Sequence, residues 1–360
     1  MELEIQKFLR GGGKPEDLTA KYAIKVNRHP QFPNLTLFKY DQIDSPMGES
    51  IVQECRGIIL NEADDWNVVS YAFKKFFNRL EGHATPIDMN TAKIQDKLDG
   101  SLMVVHYYAG EWRVNSSGTP DAGGNVYGST KTFSELFWEV WKGLGYALPQ
   151  DLGYCYAFEL MTPLNRIVCV YDKPRIVLHG VRNLNTIQEH EPEPFAEKNG
   201  WECVKSFKAN SLEDVATMAA ALDPIRNEGY VAVDANFNRQ KIKNPAYVAL
   251  SHLKDSMGSS SKRMVEVVRN GESSEFLSVF PEFLEIYNEV KTKFDALVVD
   301  AEATYAANKD IKVQKDFAMA VKDKPYASIM FMMRKNKDLT IRKALKDMRL
   351  ESLANILGVD

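Results

Sequence analysis

The hydrophobic pattern of this chain changes once, near Pro245, and this change limits the possible folds more than any other feature. From Leu35 to Lys243, short runs rich in β-branched and aromatic residues alternate with turn signals, which is typical of antiparallel strands. After Pro245, apolar residues recur at helical spacing instead. We therefore predict an α+β fold, with an antiparallel-sheet domain over residues 1–250 and an all-helical domain over residues 251–360.

The individual runs place the expected elements. Strands are predicted for LTLFKY, CRGIIL, NVVSYAF, SLMVVHYY, EWRVNSS, YCYAFEL, RIVCVY, RIVLHGV, EGYVAV and RQKIK. Helical spacing occurs over residues 1–27, where GGGKP interrupts it, and in SELFWEVWKGLGYAL and SLEDVATMAAAL, the last with Ser211 as a capping residue. In the C-terminal part, helices are predicted for PEFLEIYNEVKTKFDALVVDAEATYAANK, VQKDFAMAVKD, YASIMFMMRK and IRKALKDMRLESLANIL, with breaks at NGESSE and KDKPYA.

The composition excludes several classes of protein. Neither the cysteines nor the histidines have the spacing of a zinc site. No apolar run is long enough to cross a bilayer, and the charged start MELEIQKFLRGGGK has no apolar leader. We therefore expect a cytoplasmic protein, in the host cytoplasm if the source is viral. The formal net charge of −4 argues against a general binder of polyanions.

One segment nevertheless carries many positive charges. The basic residues between positions 321 and 350 are Lys322, Lys324, Arg334, Lys335, Lys337, Arg342, Lys343, Lys346 and Arg349. Such a segment can face the phosphates of a nucleic acid, or it can be a solvated helix face. The pattern leaves both interpretations open.

Lys97 lies in the short motif K-x-D-G, within the stretch KLDGSL. A lysine beside a tight turn is common, so the motif alone has little weight. It gains weight from the acidic and basic residues elsewhere in the strand-rich region. Cations offset the charge of a polyphosphate, and they also favour the uncharged form of a lysine that attacks phosphorus. Carboxylates can hold a divalent metal or the hydroxyls of a ribose.

The basic residues Arg56, Lys241 and Lys243 of the strand-rich region also have plain structural interpretations. Arg56 could form an ion pair with Glu54 or Glu62. Lys241 and Lys243 lie on one face of a predicted strand, which could be a solvated face. The neighbouring aromatic residues 76 and 77 are assigned to the core, because aromatic side chains pack there more often than they stack on ligands.

The ordered series K-x-D-G, F-E, E-G-Y-V and K-x-K resembles the covalent nucleotidyltransferase superfamily of polynucleotide ligases and capping enzymes. Within it, the sequence most resembles the bacteriophage-type RNA ligase 1 family. The stretches that carry the resemblance are ECRGI, KFFN, KLDGSL, AFELMTPLNRIV and EGYVAV followed by KIK, over about residues 35–245. The resemblance implies an antiparallel-sheet nucleotidyltransferase domain followed by a helical domain. It also implies an ATP-dependent reaction through lysyl-AMP and adenylylated-RNA intermediates, with Mg²⁺ or Mn²⁺.

The resemblance also implies roles for the motif residues around the lysine. Lys97 is the expected nucleophile, and Asp99 and Gly100 shape its turn. Glu159 is expected to bind the ribose of ATP. Glu228 is expected to take part in catalysis and to order the metal and its waters.

The basic and aromatic motif residues are expected to contact phosphates. The resemblance assigns Tyr40, Arg56 and Lys75 to the ATP phosphates. Lys241 and Lys243 are expected to hold the α-phosphate and the leaving pyrophosphate, and so to be catalytic. The implied partner is RNA with single-stranded or loop ends, tRNA among them; the oligomeric state stays open.

The chain departs from the family pattern at one place. Where the family has lysines after the nucleophile strand, this chain has Asn115 and Ser117, and Arg113 or Lys131 could substitute. This departure gives weight to an alternative, a protein of the same fold that holds nucleotide or RNA ends, or serves phage assembly, without turnover. A second alternative is a nucleotidyltransferase with another acceptor, of the DNA ligase or capping type.

Overall fold

The computed structural model describes residues 2–257, 261–271, 277, 280–336 and 339–359. The chain divides into two compact units, Met1–Leu250 and Ser251–Asp360. The first is built from helices and mostly antiparallel strands, and the described part of the second is helical. The predicted α+β class, with antiparallel sheets followed by a helical region, is therefore confirmed. None of the helices within the described ranges combines the length and the apolar character needed to cross a membrane.

The first unit contains short helices around three sheets. Its helices are α1 (Glu4–Arg10), α2 (Pro15–Tyr22), α3 (Ser50–Glu54), α4 (Phe133–Gly143), α5 (Glu193–Asn199), α6 (Leu212–Ala220) and the start of α7 (Pro245–Met257). Its strands are β1 (Ile24–Arg28), β2 (Leu35–Tyr40), β3 (Arg56–Asn61), β4 (Asn67–Ser70), β5 (Phe77–Asn78), β6 (Lys93–Lys97), β7 (Ser101–Tyr108), β8 (Glu111–Ser116), β9 (Tyr154–Met161), β10 (Arg175–Asn183), β11 (Glu189–His190), β12 (Glu202–Cys203), β13 (Ser206–Phe207), β14 (Gly229–Val233) and β15 (Arg239–Lys243).

The strands form sheets in the orders β1-β2-β3-β4, β11-β10-β9-β7-β8 and β13-β6-β14-β15-β5, with β12 added beside β10. Neighbours pair antiparallel except at β10–β12 and β15–β5. Helices cover one side of each sheet. The helices α1 and α3 pack on the first sheet, α4 and α5 on the second, and α6 on the third. The opposite faces of the second and third sheets are left to line a polar cavity.

Most of the expected elements occur, with one difference at the start of the chain. Residues 24–27, the end of the segment with predicted helical spacing, belong instead to β1, which pairs in full antiparallel register with β2. The helix ends because Ala23 adopts a left-handed conformation, with φ of 53°. Pairing with a neighbouring strand outweighs the weak local preference of this segment. The predicted cap of α6 is confirmed, because Ser211 Oγ accepts the backbone N–H of Asp214.

The second unit contains α8 (Ser261–Asn270), a 3₁₀ turn (Pro281–Phe283), α9 (Leu284–Asn308), α10 (Gln314–Val321), α11 (Ala327–Lys335), α12 (Ile341–Lys346) and α13 (Leu350–Leu357). The long predicted helix corresponds to α9, and the predicted break at KDKPYA separates α10 from α11. The last predicted helix is divided in two, at residues 347–349. Most of the break predicted at NGESSE lies outside the described residues.

Candidate active site

Lys97 is the last residue of β6, and residues 98–100 lead from there into β7 of the second sheet. The register of β6 and β14 sets Lys97 opposite Gly229. Gly229 has a φ of +141°, and a Cβ at this position would lie 2.3 Å from the carbonyl oxygen of Ile242. At Gly100, a Cβ would lie 2.4 Å from the carbonyl oxygen of Leu160. Both motif glycines are therefore required for close backbone approach around the lysine.

The turn after Lys97 is held by the buried carboxylate of Asp99. Its Oδ2 accepts the backbone N–H groups of Val168 and Cys169, at 2.8 and 2.6 Å. Its Oδ1 accepts the hydroxyl of Tyr247 at 2.6 Å. The stretch RIVCVY, predicted as a strand, is irregular here. That prediction was wrong because two of its backbone amides bind the Asp99 carboxylate instead of a neighbouring strand.

Glu228 joins two of the predicted lysines. Its Oε2 lies 2.6 Å from the Lys97 amine and its Oε1 lies 2.9 Å from the Lys243 amine. The Glu228 side chain is buried, whereas both lysines are partly exposed. The nearest charged partner of Lys97 is thus a carboxylate, whereas the sequence analysis considered only the effect of neighbouring cations on this lysine.

A cavity of about 250 Å³ opens beside the Lys97 amine. All three sheets contribute to it or to its rim, so residues far apart in sequence meet. The polar and charged residues that line it are Arg56, Gln95, Asp96, Lys97, Glu159, His179, Arg239, Lys241 and Lys243. Phe73 and Phe76 form aromatic walls. The cavity therefore contains one strongly basic side and two lining carboxylates, Asp96 on β6 and Glu159 on β9.

The strand periodicity predicted from the sequence explains this distribution. Phe158 and Leu160 point into the core between β9 and α4, so Glu159 faces the cavity. Ile242 packs in the core under α6, so Lys241 and Lys243 face the cavity. Alternation in a strand places neighbouring residues on opposite faces.

The remaining predicted phosphate contacts lie at the edge of this cavity. The guanidinium of Arg56 lies over the ring of Phe76, at 4.7 Å. The amine of Lys75 lies 4.8 Å from the centre of the Tyr40 ring. The ring of Tyr40 thus contacts the Lys75 amine, and Tyr40 is absent from the lining of the described cavities. Lys75 lines an adjoining cavity of about 570 Å³ together with Lys241 and Lys243.

Two structural interpretations of the sequence were wrong. Arg56 pairs with neither acidic neighbour, because Glu54 accepts backbone N–H groups at the start of α1 and Glu62 pairs with Arg28. Phe76, assigned to the core, is half-buried and forms a wall of the cavity.

Burial changes the ionisation of several cavity residues. Desolvation, together with the neighbouring cations Arg56, Lys75, Lys97 and Lys243, lowers the pKa of Lys241 to about 7. Desolvation raises the pKa of Glu159 to about 8, against the opposing effect of Lys97. Desolvation also lowers the pKa of His179 to about 3. The cavity therefore holds a neutral histidine, and a lysine and a glutamate that both titrate near neutral pH.

Sequence reasoning missed His179 and Arg239. His179 is the extra residue of a β-bulge in β10, between Leu178 and Gly180, and its Nε2 lies 3.5 Å from Glu159 Oε2. Bulges redirect side chains near functional sites, but nothing in RIVLHGV signals one. Arg239 did have a signal, because it alternates with Lys241 and Lys243 on the cavity face of β15.

The departure at Asn115 and Ser117 has a structural explanation. Asn115 is fully buried and accepts a hydrogen bond from Ser70 Oγ at 2.7 Å. The backbone of Ser117 lies against Gly57, where a Cβ would be 2.8 Å away. Neither position lines the cavity beside Lys97.

The two suggested substitutes also lie elsewhere. Arg113 binds Glu111 at 2.9 Å and lies over the Phe32 ring, and Lys131 pairs with an acidic residue of α4. A different cation is close to this loop. The Lys39 amine would lie 3.5 Å from a Cβ placed on Gly118.

The described residues contain no group of three or more acidic, histidine or cysteine side chains arranged to hold a metal ion. Both oxygens of Glu228, the expected metal residue, are engaged by lysine amines. A divalent ion here would need most of its ligands from water and from a phosphate-bearing substrate. Such a mode is usual for Mg²⁺ at nucleotide sites.

Comparisons with known proteins agree on one family. A family model described as RNA ligase matches residues 54–247, more than half of the chain. The RNA ligase of Rhodothermus phage RM378 is 26% identical over 367 residues, which cover 81% of this chain and 82% of the relative. A protein of Autographa californica nuclear polyhedrosis virus, named as a bifunctional polynucleotide kinase/RNA ligase, is 25% identical over 390 residues, which cover 99% of this chain and 53% of the relative.

This chain therefore spans about half the length of that viral relative. Among solved structures, an archaeal ATP-dependent RNA ligase is similar with a TM-score of 0.46 and 13% identity. The match covers 94% of this chain and 80% of the archaeal one.

Proposed function

Because this chain belongs to the RNA ligase family, we propose that it joins 5′-phosphate and 3′-hydroxyl ends of RNA at the expense of ATP. The observation that carries the proposal is the position of the Lys97 amine. It lies at the mouth of a cavity whose basic side is formed by Arg56, Lys241 and Lys243. An amine aimed at a cationic cavity can attack the α-phosphorus of a bound nucleotide while the cations stabilise the leaving pyrophosphate.

The proposed reaction proceeds in balanced steps. The Lys97 nitrogen forms a bond to the α-phosphorus of ATP, the bond to the β-phosphate oxygen breaks, and pyrophosphate leaves. The 5′-phosphate of an RNA end then takes the AMP, and the lysine amine is released. Finally the 3′-hydroxyl of a second end attacks the activated phosphate and AMP leaves. Each step is a phosphoryl transfer, so positioning and charge stabilisation carry the catalysis.

The residues around Lys97 have distinct parts in this proposal. Glu228 orients the Lys97 amine before the nucleotide binds, since the two groups are 2.6 Å apart. Glu159, with its raised pKa, can donate or accept a hydrogen bond to a ribose hydroxyl near neutral pH. Lys241 and Lys243 bind the phosphates. A divalent metal, Mg²⁺ or Mn²⁺, would be held by the phosphates, water and Glu228, and would supply further charge neutralisation.

The test is intact-protein mass spectrometry after exposure to ATP and a divalent metal. We expect the wild type to gain the mass of one AMP moiety, with the adduct on Lys97. The variant Lys97→Ala should stay folded and gain nothing. Lys93→Ala is the matched control, since Lys93 lies on the same strand but pairs with Glu191 and Glu193. An adduct on Lys97→Ala would contradict the proposal.

The acceptor is proposed from the family alone, and a second experiment addresses it. The AMP-bearing protein is offered 5′-phosphorylated RNA, tRNA cleaved in a loop, or DNA, and GTP replaces ATP in a parallel reaction. We expect circular or rejoined RNA and no reaction with GTP. Transfer to DNA ends alone, or guanylylation, would favour the DNA ligase or capping alternatives.

A non-catalytic role on the same fold is the second candidate. The buried Asn115, which stands where the family has a lysine, favours it. That protein would bind RNA ends yet form no AMP adduct, so the same mass measurement separates the two functions.

A further inference from the structure

A second cavity lies beside the one at Lys97 and shares a wall with it. Its volume is about 450 Å³, and Phe76 and Arg239 line both cavities. It lies within the first unit, between the segment that contains Lys74 and the turn that joins β14 to β15. Its size suits one nucleotide, since sites for ligands of that class span roughly 300–1,000 Å³.

The charges in this second cavity favour an anion. Its one lining carboxylate, Glu189, is held between Arg182, at 2.9 Å, and Arg239. The Lys74 amine is largely exposed, and Oε1 of its acidic partner, Glu54, is 4.0 Å away. The Lys75 amine lies over the rings of Tyr40 and Phe77 and forms no ion pair with the other residues that the structure describes. Two lysine amines are therefore available to a phosphate at the cavity rim.

Phe237 supplies an aromatic surface in the same cavity. It is half-exposed and has a φ of +59°, a left-handed conformation that asparagine or glycine would adopt more readily. The Asp234 carboxylate fixes the turn by accepting backbone N–H groups from Asn236 and Asn238. A bulky aromatic residue kept in an unfavourable conformation at a cationic rim points to a role for the ring.

We propose that this second cavity binds one nucleotide of the single-stranded RNA substrate, with Phe237 stacking on its base and Lys74 contacting its phosphate. The inference rests on the proposed function. The shared wall places that nucleotide directly beside the AMP site. An aromatic platform combined with cations is the usual way to bind a single strand without reading its sequence.

The informative variant is Phe237→Asn. Asparagine accommodates the left-handed backbone, so we expect an unchanged or higher melting temperature together with loss of the stacking ring. Binding of a fluorescent single-stranded oligoribonucleotide should weaken about tenfold. Formation of the Lys97 adduct and the affinity for ATP should be unchanged.

Lys74→Ala tests the phosphate contact. It should weaken RNA binding and reduce the slope of log affinity against log salt by about one. Tyr127→Ala and Lys142→Ala are the controls, since both residues are exposed and line neither cavity.

The outcomes separate the possible ligands. Equal RNA binding by wild type, Phe237→Asn and Lys74→Ala would overturn the inference. Parallel loss of AMP and RNA affinity in Phe237→Asn would assign the cavity to a free nucleotide, and would also overturn it. A wild type that binds RNA but forms no adduct would contradict the proposed function and leave this inference standing.

Discussion

The Glu228 carboxylate lies 2.6 Å from the Lys97 amine, so an ion pair holds the proposed nucleophile before any nucleotide binds. The same carboxylate holds Lys243 at 2.9 Å. A carboxylate has two oxygens and can accept from both amines at once, whereas an amide has one acceptor oxygen. Glu228 therefore fixes the spacing between the amine of the proposed nucleophile, Lys97, and the amine of Lys243, which is proposed to bind phosphate.

We expect Glu228→Gln to slow formation of the Lys97 adduct by on the order of 100-fold, a loss typical of removing one preorganised charge at an active site. The amide cannot hold both amines, and its N–H₂ group opposes one of them. The rate is measured in a single turnover by intact mass.

Glu202→Gln is the matched control for this substitution. Glu202 also pairs with a basic residue, Arg175, but it lies outside the cavity at Lys97. Wild-type rates in Glu228→Gln would show that the bridge has no part in the first step.

The sequence predicted those parts of the site that follow from strand alternation and missed those that depend on irregular backbone. Glu159 lies between two apolar residues of one strand, so its orientation could be predicted. His179 enters the cavity through a β-bulge, and no local pattern marks the extra residue.

The failure at RIVCVY has the same cause. Its residues favour a strand, yet the Asp99 carboxylate takes the backbone amides of Val168 and Cys169. Asp99 and these residues are about 70 positions apart, so the competing hydrogen bonds become visible only in three dimensions.

The lowered pKa of Lys241, about 7, predicts proton uptake when ATP binds. In the free protein at pH 7.5, the Lys241 amine is uncharged in roughly three quarters of the molecules. Phosphate oxygens favour the charged form, so the pKa rises on binding and protons are taken up. Titration calorimetry in buffers of different ionisation enthalpy measures this uptake directly. The affinity for ATP should fall as the pH rises above about 7.

Lys241→Arg isolates this contribution, because a guanidinium stays charged at every pH used. Its proton uptake should be smaller than that of the wild type, while Glu159 contributes equally in both proteins. Identical uptake in the two would show that Lys241 is already charged in the free site.

The raised pKa of Glu159 predicts that the stability of the folded protein depends on pH. Its pKa is about 8 in the folded protein, against 4.5 for an ordinary glutamate, because burial favours the neutral carboxyl. Ionisation therefore opposes folding. The cost is absent below about pH 4.5, grows up to about pH 8 and is constant above that. Glu159→Gln removes this cost, so its melting temperature relative to wild type should rise by several degrees between pH 5 and pH 8.

If the melting temperatures of Glu159→Gln and wild type differ by the same amount at pH 5 and pH 8, this result would contradict the raised pKa of Glu159. Glu202→Gln again serves as the control, since its carboxylate is partly exposed and paired with Arg175. Its melting temperature relative to wild type should change less with pH over this range.

Tyr247 is expected to position the turn that follows Lys97, because its hydroxyl donates to the buried Asp99 carboxylate. Tyr247→Phe leaves that oxygen without this donor, at a cost of about 1–3 kcal/mol. We expect a lower melting temperature and a roughly tenfold slower adduct formation, with little change in ATP affinity. Tyr230→Phe is the control, since Tyr230 is also buried and packs by its ring against Phe207. Slow adduct formation in both variants would indicate a general effect of losing a tyrosine hydroxyl.

The basic residues of the C-terminal segment fall into two groups in the structure, those that form ion pairs and those that do not. Lys324 and Arg342 form ion pairs with Asp300 and Asp295, so part of the segment stabilises the helical unit. Lys343 and Lys346 of α12 are exposed, and neither forms an ion pair within the part of the chain that the structure describes. These two are the better candidates for contacts with RNA phosphates.

We expect Lys343→Glu with Lys346→Glu to weaken binding of single-stranded RNA about tenfold at moderate salt and to reduce the salt slope by about two. Formation of the Lys97 adduct should be unchanged, because the substitutions lie in the second unit and the adduct forms in the first. Lys309→Glu with Lys315→Glu removes the same charge from exposed positions of the same unit. If this control weakens RNA binding equally, the effect comes from net charge. If adduct formation falls together with RNA binding, the segment acts on the fold instead of on the RNA.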